Sequence, residues 1–206
     1  MDNITNSSYL TIKAPSEGLF KDKGSKFISY AFPVTTEDEI KEKVDTLKKK
    51  YYDARHHCYA YVLGAERLIF RANDDREPSG TAGKPILGQL NSQNLTNILV
   101  VVVRYFGGTL LGTSGLINAY KEATISALQN SQVIKKIVTE LYYINFQYEA
   151  TNEVMKIIKD YNLFVTDQHF GSECSLLAKI SLAEKEIILT KLNKIESVSL
   201  KYDRTE

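Results

Sequence analysis

Beyond residue 135 the apolar residues switch between two periods, and the order of the switches admits few folds. Ile144, Phe146 and Tyr148 alternate with Asn145 and Gln147, as in a strand with one buried face. Val154, Ile157, Ile158 and Tyr161 follow at i, i+3, i+4 and i+7, one face of a helix. Leu163–Phe170 reads as a strand and Gly171-Ser172 as a turn, after which Cys174, Leu176, Ala178, Ile180 and Leu182 alternate again. Ser181 and Glu184 have capping-box spacing ahead of a helix carrying Ile188, Leu192 and Ile195. Val198, Leu200 and Tyr202 form a last strand. The order βαββαβ is that of the split-βαβ, ferredoxin-like arrangement.

The part before it is longer and patterned differently, so the 206 residues divide into an expected domain over 1–135 and a second over 136–206. Two or three short strands between Tyr9 and Phe32 precede a helix opened by Thr36 and Glu39, with Glu37 and Asp38 also in its first turn. Ile40, Val44, Leu47 and Tyr51 make its buried stripe. Lys48, Lys49 and Lys50 close it as a charge-matched helix end rather than a nucleic-acid patch. Strands over His57–Leu63 and Arg67–Ala72, a helix near Lys84–Leu90, a strand over Ile98–Tyr105 and a helix over Leu116–Leu128 complete the domain. Helices against a mostly antiparallel sheet make it α+β.

Charge and cysteine usage narrow the function classes. Lysine plus arginine number 26 against 25 acids, a net charge of +1, so no global basic field advertises nucleic acid and only a local patch could bind it. Cys58 and Cys174 have no CxxC partner, which suits a reducing compartment. The opening MDNITNSSYLTIK has no signal-peptide character, and the strongest apolar run, Ile98–Val103, is far short of a bilayer span. A cytoplasmic protein without a membrane partner is expected.

Two segments carry the chemistry. The first runs from Asp74 to Pro85, with three acids, Ser79, Gly80, Thr81 and Lys84 ahead of a helix holding Pro85 in its first turn. The second, Arg104 to Gly115, leaves a buried strand for a helix N-terminus. There Gly107, Gly108, Gly112 and Gly115 let backbone N–H groups approach an anion. Arg104 would supply a bidentate contact to phosphate or carboxylate. Neither the dinucleotide fingerprint nor a P-loop is present. The glycines alone fit close packing as well as binding; Arg104 and the hydroxyl-rich first loop favour binding. Asp74, Asp75 and Glu77 are hard oxygen ligands for magnesium, though a solvated charged turn accounts for them more simply. His56 and His57, adjacent on a strand, face opposite sides and cannot chelate one metal together. A structural histidine is the simpler reading, with His57 a catalytic base only in an enzyme. Cys58 reads as a small buried residue.

Together Ala54–Tyr61, Asp74–Leu87 and Val102–Gly112 resemble the IMPACT family in its bacterial, YigZ-type form. Arg76 and Ser114 stand where glycine is common in that family. The resemblance implies an N-terminal domain sharing the fold of a small-subunit ribosomal protein domain, elongation factor G domain IV and ribonuclease PH. It also implies a ferredoxin-like second domain similar to those of elongation factor G. Eukaryotic relatives are tied to translational control: they bind the activator of the kinase that senses uncharged tRNA. They do so through an additional N-terminal domain that this short chain is expected to lack. The family offers no catalytic residues to carry over, and fold alone assigns no reaction.

The leading expectation is therefore a cytoplasmic, translation-associated regulator that binds RNA, the ribosome or another phosphate-bearing ligand through the N-terminal cleft. Arg104 and Lys84 would be its cations, the four loop glycines its backbone donors, and Ser79, Thr81 and Ser114 its hydroxyls, with no cofactor. One alternative is a magnesium-assisted enzyme on a phosphorylated or nucleotide substrate, using Asp74, Asp75, Glu77 and His57. Another is a pure protein-interaction regulator.

Overall fold

The computed structural model describes residues 7–206, so the first six residues of the segment read against a signal peptide lie outside it. The chain divides into two compact units, Tyr9–Lys136 and Ile137–Glu206 with Ser7 and Ser8. The first contains β1 (Ser8–Ile12), β2 (Ser16–Asp22), β3 (Ser25–Pro33), α1 (Glu37–Lys50), β4 (His56–Leu63), β5 (Ile69–Asn73), α2 (Gly83–Ser92), β6 (Ile98–Tyr105), α3 (Gly112–Gln129) and β7 (Val133–Ile137). Strands β2-β3-β6-β4-β5 form one antiparallel sheet in that order, and β1 pairs with β7.

The Ile98–Val103 run is central and covered on both faces, which is why it does not alternate. Val100 and Val102 point with Phe27, Cys58 and Ala60 toward α2 and α3, whereas Leu99 and Val101 point with Tyr30 and Tyr61 toward α1. The helix stripe Ile40, Val44, Leu47 fills that second core, and Thr36 caps α1 by accepting the Glu39 N–H. The Glu39 carboxylate accepts from the Thr35 N–H instead of that of Thr36, so the box is displaced by one residue. Lys23-Gly24, both at positive φ (43° and 79°), make the two-residue turn joining β2 to β3. Helix α3 begins a turn earlier than the sequence suggests. It takes in Gly112, Ser114 and Gly115.

The second unit contains β8 (Thr139–Gln147), α4 (Thr151–Asp160), β9 (Phe164–His169), β10 (Glu173–Ser181), α5 (Lys185–Leu192) and β11 (Ser199–Thr205). Its sheet order β11-β8-β10-β9 is antiparallel throughout, with β8 and β10 in the middle. This is the ferredoxin-like arrangement. The alternating residues Ile144, Phe146, Cys174, Leu176 and Ala178 close a core with Val154 and Ile158 of α4 and Ile188 and Leu192 of α5. One local detail departs from expectation. Helix α5 starts only at Lys185, and Ser181 donates to the Glu184 carboxylate instead of capping the helix.

Candidate functional site at the glycine-rich loops

The first loop is organised around Asp74. Its Oδ2 accepts the Gly80 N–H (2.8 Å), and its Oδ1 accepts those of Ala82 (3.1 Å) and Gly83 (2.8 Å). A carboxylate from within the chain thus occupies the N-terminus of α2, in the loop whose Ser79, Gly80, Thr81 and Lys84 were expected to meet a ligand. Burial raises the Asp74 pKa, but the donations from Gly80, Gly83 and Ala82 outweigh it and hold the carboxyl below its ordinary range. Asp75 accepts the His57 N–H at 2.7 Å, and its carbonyl oxygen lies 2.8 Å from Nδ1 of His56. Thr81 is buried and donates to the Pro78 carbonyl. Ser79 and Lys84 are exposed, and Lys84 lies along Gly80.

Glu77 faces inward. Its Oε1 accepts from Arg104 Nη1 (2.6 Å) and from the Tyr120 hydroxyl (2.8 Å), which in turn accepts from Cys58 Sγ (3.2 Å). Side-chain exposure is only 8% for Arg104 and 3% for Glu77. The Arg104 guanidinium also lies 5.5 Å from the Phe27 ring and 5.8 Å from that of Phe106. Arg104, expected as a ligand cation, is instead half of a buried ion pair. Burial pushes the thiol of Cys58 and the phenol of Tyr120 far up, so both stay protonated.

The three acids diverge: Asp74 to backbone N–H groups, Asp75 to His57, Glu77 to Arg104. Among the described residues no three His, Cys, Asp or Glu side chains are grouped to hold a metal. The histidines take opposite faces of β4. His56 is the one beside the buried pair, with Nε2 4.0 Å from Glu77. His57 points toward α1; burial lowers its pKa, partly opposed by Asp75 with Oδ2 3.9 Å away, and its Nε2 has no partner.

The second loop divides by role. Gly107 packs flat on Gly24 and Ser25, too close for any Cβ, and its N–H donates to Ser25 Oγ at 3.1 Å. Gly108 and Gly112 face open space at φ of 87° and 72°. From Phe106 to Leu110 every residue is exposed, and Ser114 is exposed too. The first turn of α3 has no acidic residue and no side-chain cap, so its N–H groups stay open to an anion. The contact of Gly24 with Gly107 also brings exposed Lys23 of the β2–β3 turn beside this loop. This lysine lies some 80 residues from the loop in sequence, and only the Lys-Gly turn signal marks its hairpin.

The Impact N-terminal domain family model matches residues 23–128, a span holding both loops. The chain is 34% identical over 164 residues to the IMPACT family member YvyE of Bacillus subtilis, covering 80% of this chain and 76% of that protein. It is 35% identical over 171 residues to the IMPACT family member YigZ of Escherichia coli, covering 77% and 83%. Protein IMPACT of Rattus norvegicus aligns over 94 residues at 33% identity, 44% of this chain and 30% of that protein. A crystal structure described as that of a hypothetical protein superposes with a TM-score of 0.74 at 30% identity, over 96% of this chain and 98% of that one. With the family model spanning half the sequence and bacterial relatives aligned over most of it, this chain belongs to the IMPACT family.

Proposed function

We propose that this protein is a translation-associated regulator that binds RNA through its N-terminal unit, with phosphate received at the first turn of α3. The observation that carries the reading is the seating of the Lys23-Gly24 turn on Gly107, which sets an exposed lysine beside uncapped helix N–H groups. Anions are favoured at such a helix end, and Lys23 adds the sequence-independent attraction on which RNA affinity rests. The translational setting is what the family resemblance implies. The magnesium-assisted alternative draws no support from acids already engaged with backbone, histidine and arginine.

Ser114→Glu tests the reading cleanly. A carboxylate in the first turn of α3 stabilises the helix by about 0.3–1 kcal/mol, yet repels phosphate from the same place. Fluorescence anisotropy with labelled RNA should show weaker binding by a variant whose thermal unfolding is unchanged or raised. Wild-type affinity in that variant would overturn the phosphate site.

A further inference from the structure

The α1 side of the five-stranded sheet is only partly covered. Three registered rows cross β2, β3 and β6 on this face: Glu17, Tyr30, Val101; Leu19, Ile28, Val103; and Lys21, Lys26, Tyr105. Helix α1 packs over the β6 and β4 end, leaving Leu19 47% exposed and Lys21 and Lys26 exposed as well. A groove of about 400 Å³ runs along the strip, floored by Ile28 and Tyr30 and walled by Leu19, Lys26 and Tyr51, with Glu17 its one lining acid.

One feature of the strip is costly unless an anion occupies it. Lys21 and Lys26 are directly opposed across the hairpin, a like-charge pairing that destabilises a sheet. Lys50, the last residue of α1, does more than complement its helix end. Its Nζ donates to the Tyr30 hydroxyl and lies 5.1 Å and 5.2 Å from the ring centroids of Tyr30 and Tyr51. Tyr51 in turn meets Tyr105 edge to face at 6.4 Å. Hydrogen bonds to the Tyr30 and Tyr51 hydroxyls hold the Lys50 pKa above its usual value, so it stays charged. Cations and aromatic rings from the sheet and from the end of α1 are therefore interleaved along this strip, where the Tyr105 hydroxyl donates to Asp53 at 2.7 Å.

We infer that this strip is a single-stranded RNA platform, in which the rings of Tyr51 and Tyr105 stack bases while Lys21, Lys26 and Lys50 follow the backbone. Stacking on aromatic side chains with flanking cations is how sequence-tolerant single-strand sites work, and a duplex, its bases paired, cannot use the rings. The inference rests on the RNA reading above but places a second, separate contact on the opposite side of the hairpin from Arg104 and Phe27.

The test uses the full chain, a labelled single-stranded RNA 12-mer, a duplex of the same length, and three variants: Lys21→Ala with Lys26→Ala, Tyr51→Leu, and Ser114→Glu. Losing two single-strand phosphate contacts lowers the log–log salt slope by about 1.4, so the affinity lost between 50 and 200 mM salt shrinks by about sevenfold. Tyr51→Leu keeps the apolar packing and should weaken single-strand binding by about fivefold or more while leaving duplex binding unchanged. Wild-type binding by both sheet variants, with binding lost only in Ser114→Glu, overturns the platform and keeps the loop reading. Absence of any RNA binding by the unaltered chain overturns both. Self-association of the double-lysine variant at unchanged RNA affinity overturns the platform and makes the lysines guards of an edge strand.

Discussion

Removing the arginine of the buried Arg104–Glu77 pair should cost far more than its loss from a surface contact. In Arg104→Met the Glu77 carboxylate stays 3% exposed, with the Tyr120 hydroxyl as its one hydrogen-bond donor and His56 4.0 Å away. Breaking a buried pair from one side typically costs about 3–5 kcal/mol, because the remaining charge keeps its desolvation penalty. Glu77→Gln should cost less, since the guanidinium keeps the faces of Phe27 and Phe106. In the double variant no charge is buried, and the amide oxygen introduced by Glu77→Gln still accepts from Tyr120. Its loss should fall to about 1–2 kcal/mol, well below the sum of the single losses. Urea unfolding followed by circular dichroism measures this directly. At a slope of about 2 kcal/mol/M, Arg104→Met moves the midpoint of its unit down by about 2 M. A loss under about 1 kcal/mol, or additive single variants, would refute the reasoning and return Arg104 to the solvent as a free ligand cation.

Backbone geometry and Asp74 give two further expectations. At Gly18 a Cβ would overlap the Ala127 backbone of α3, whereas at Gly88 in α2 it meets nothing within 4 Å. Gly18→Ala should therefore lower stability by about 1–3 kcal/mol and Gly88→Ala raise it by about 0.5–1 kcal/mol, both read by chemical denaturation. Asp74 has a depressed folded pKa, so its stabilisation is complete above the unfolded value near 3.9 and is lost as pH falls through the folded one. Asp74→Asn should be less stable at neutral pH and lose less on acidification, as thermal melts across pH 2 to 7 will show; parallel acid limbs would contradict the assignment.

What the sequence reveals divides by the distance over which the controlling contact acts. Thr36, three residues from Glu39, shows its cap, and the alternation from Ile144 to Phe146 and from Cys174 to Ile180 shows its strands, because period and capping are local. The opposite facing of His56 and His57 is equally readable, but which one adjoins Glu77 depends on the register of β4 against β6. Pairing of Glu77 with Arg104 rather than with nearby Arg76 or Lys84 is set by tertiary packing around Tyr120. Similarly, Gly107 belongs to the hairpin turn 83 residues upstream at Gly24, so its glycine records a close approach that no local window contains. Lys50 illustrates the mixed case. Its place in a helix-ending lysine run is visible, while its reach to Tyr30 and Tyr51 is not.

The unbroken apolar stretch of β6 carries a hazard that its own ends resolve. A strand that buries Leu99, Val100, Val101 and Val102 alike can slide by one residue against β3 and β4 and still present aliphatic side chains to both cores. Arg104 removes that freedom. Such a slip would swing its guanidinium from Glu77 through the sheet to the α1 side, leaving two unpaired charges, one in each core. The ion pair thereby works as an alignment pin, selecting one strand register among several that hydrophobicity alone would accept.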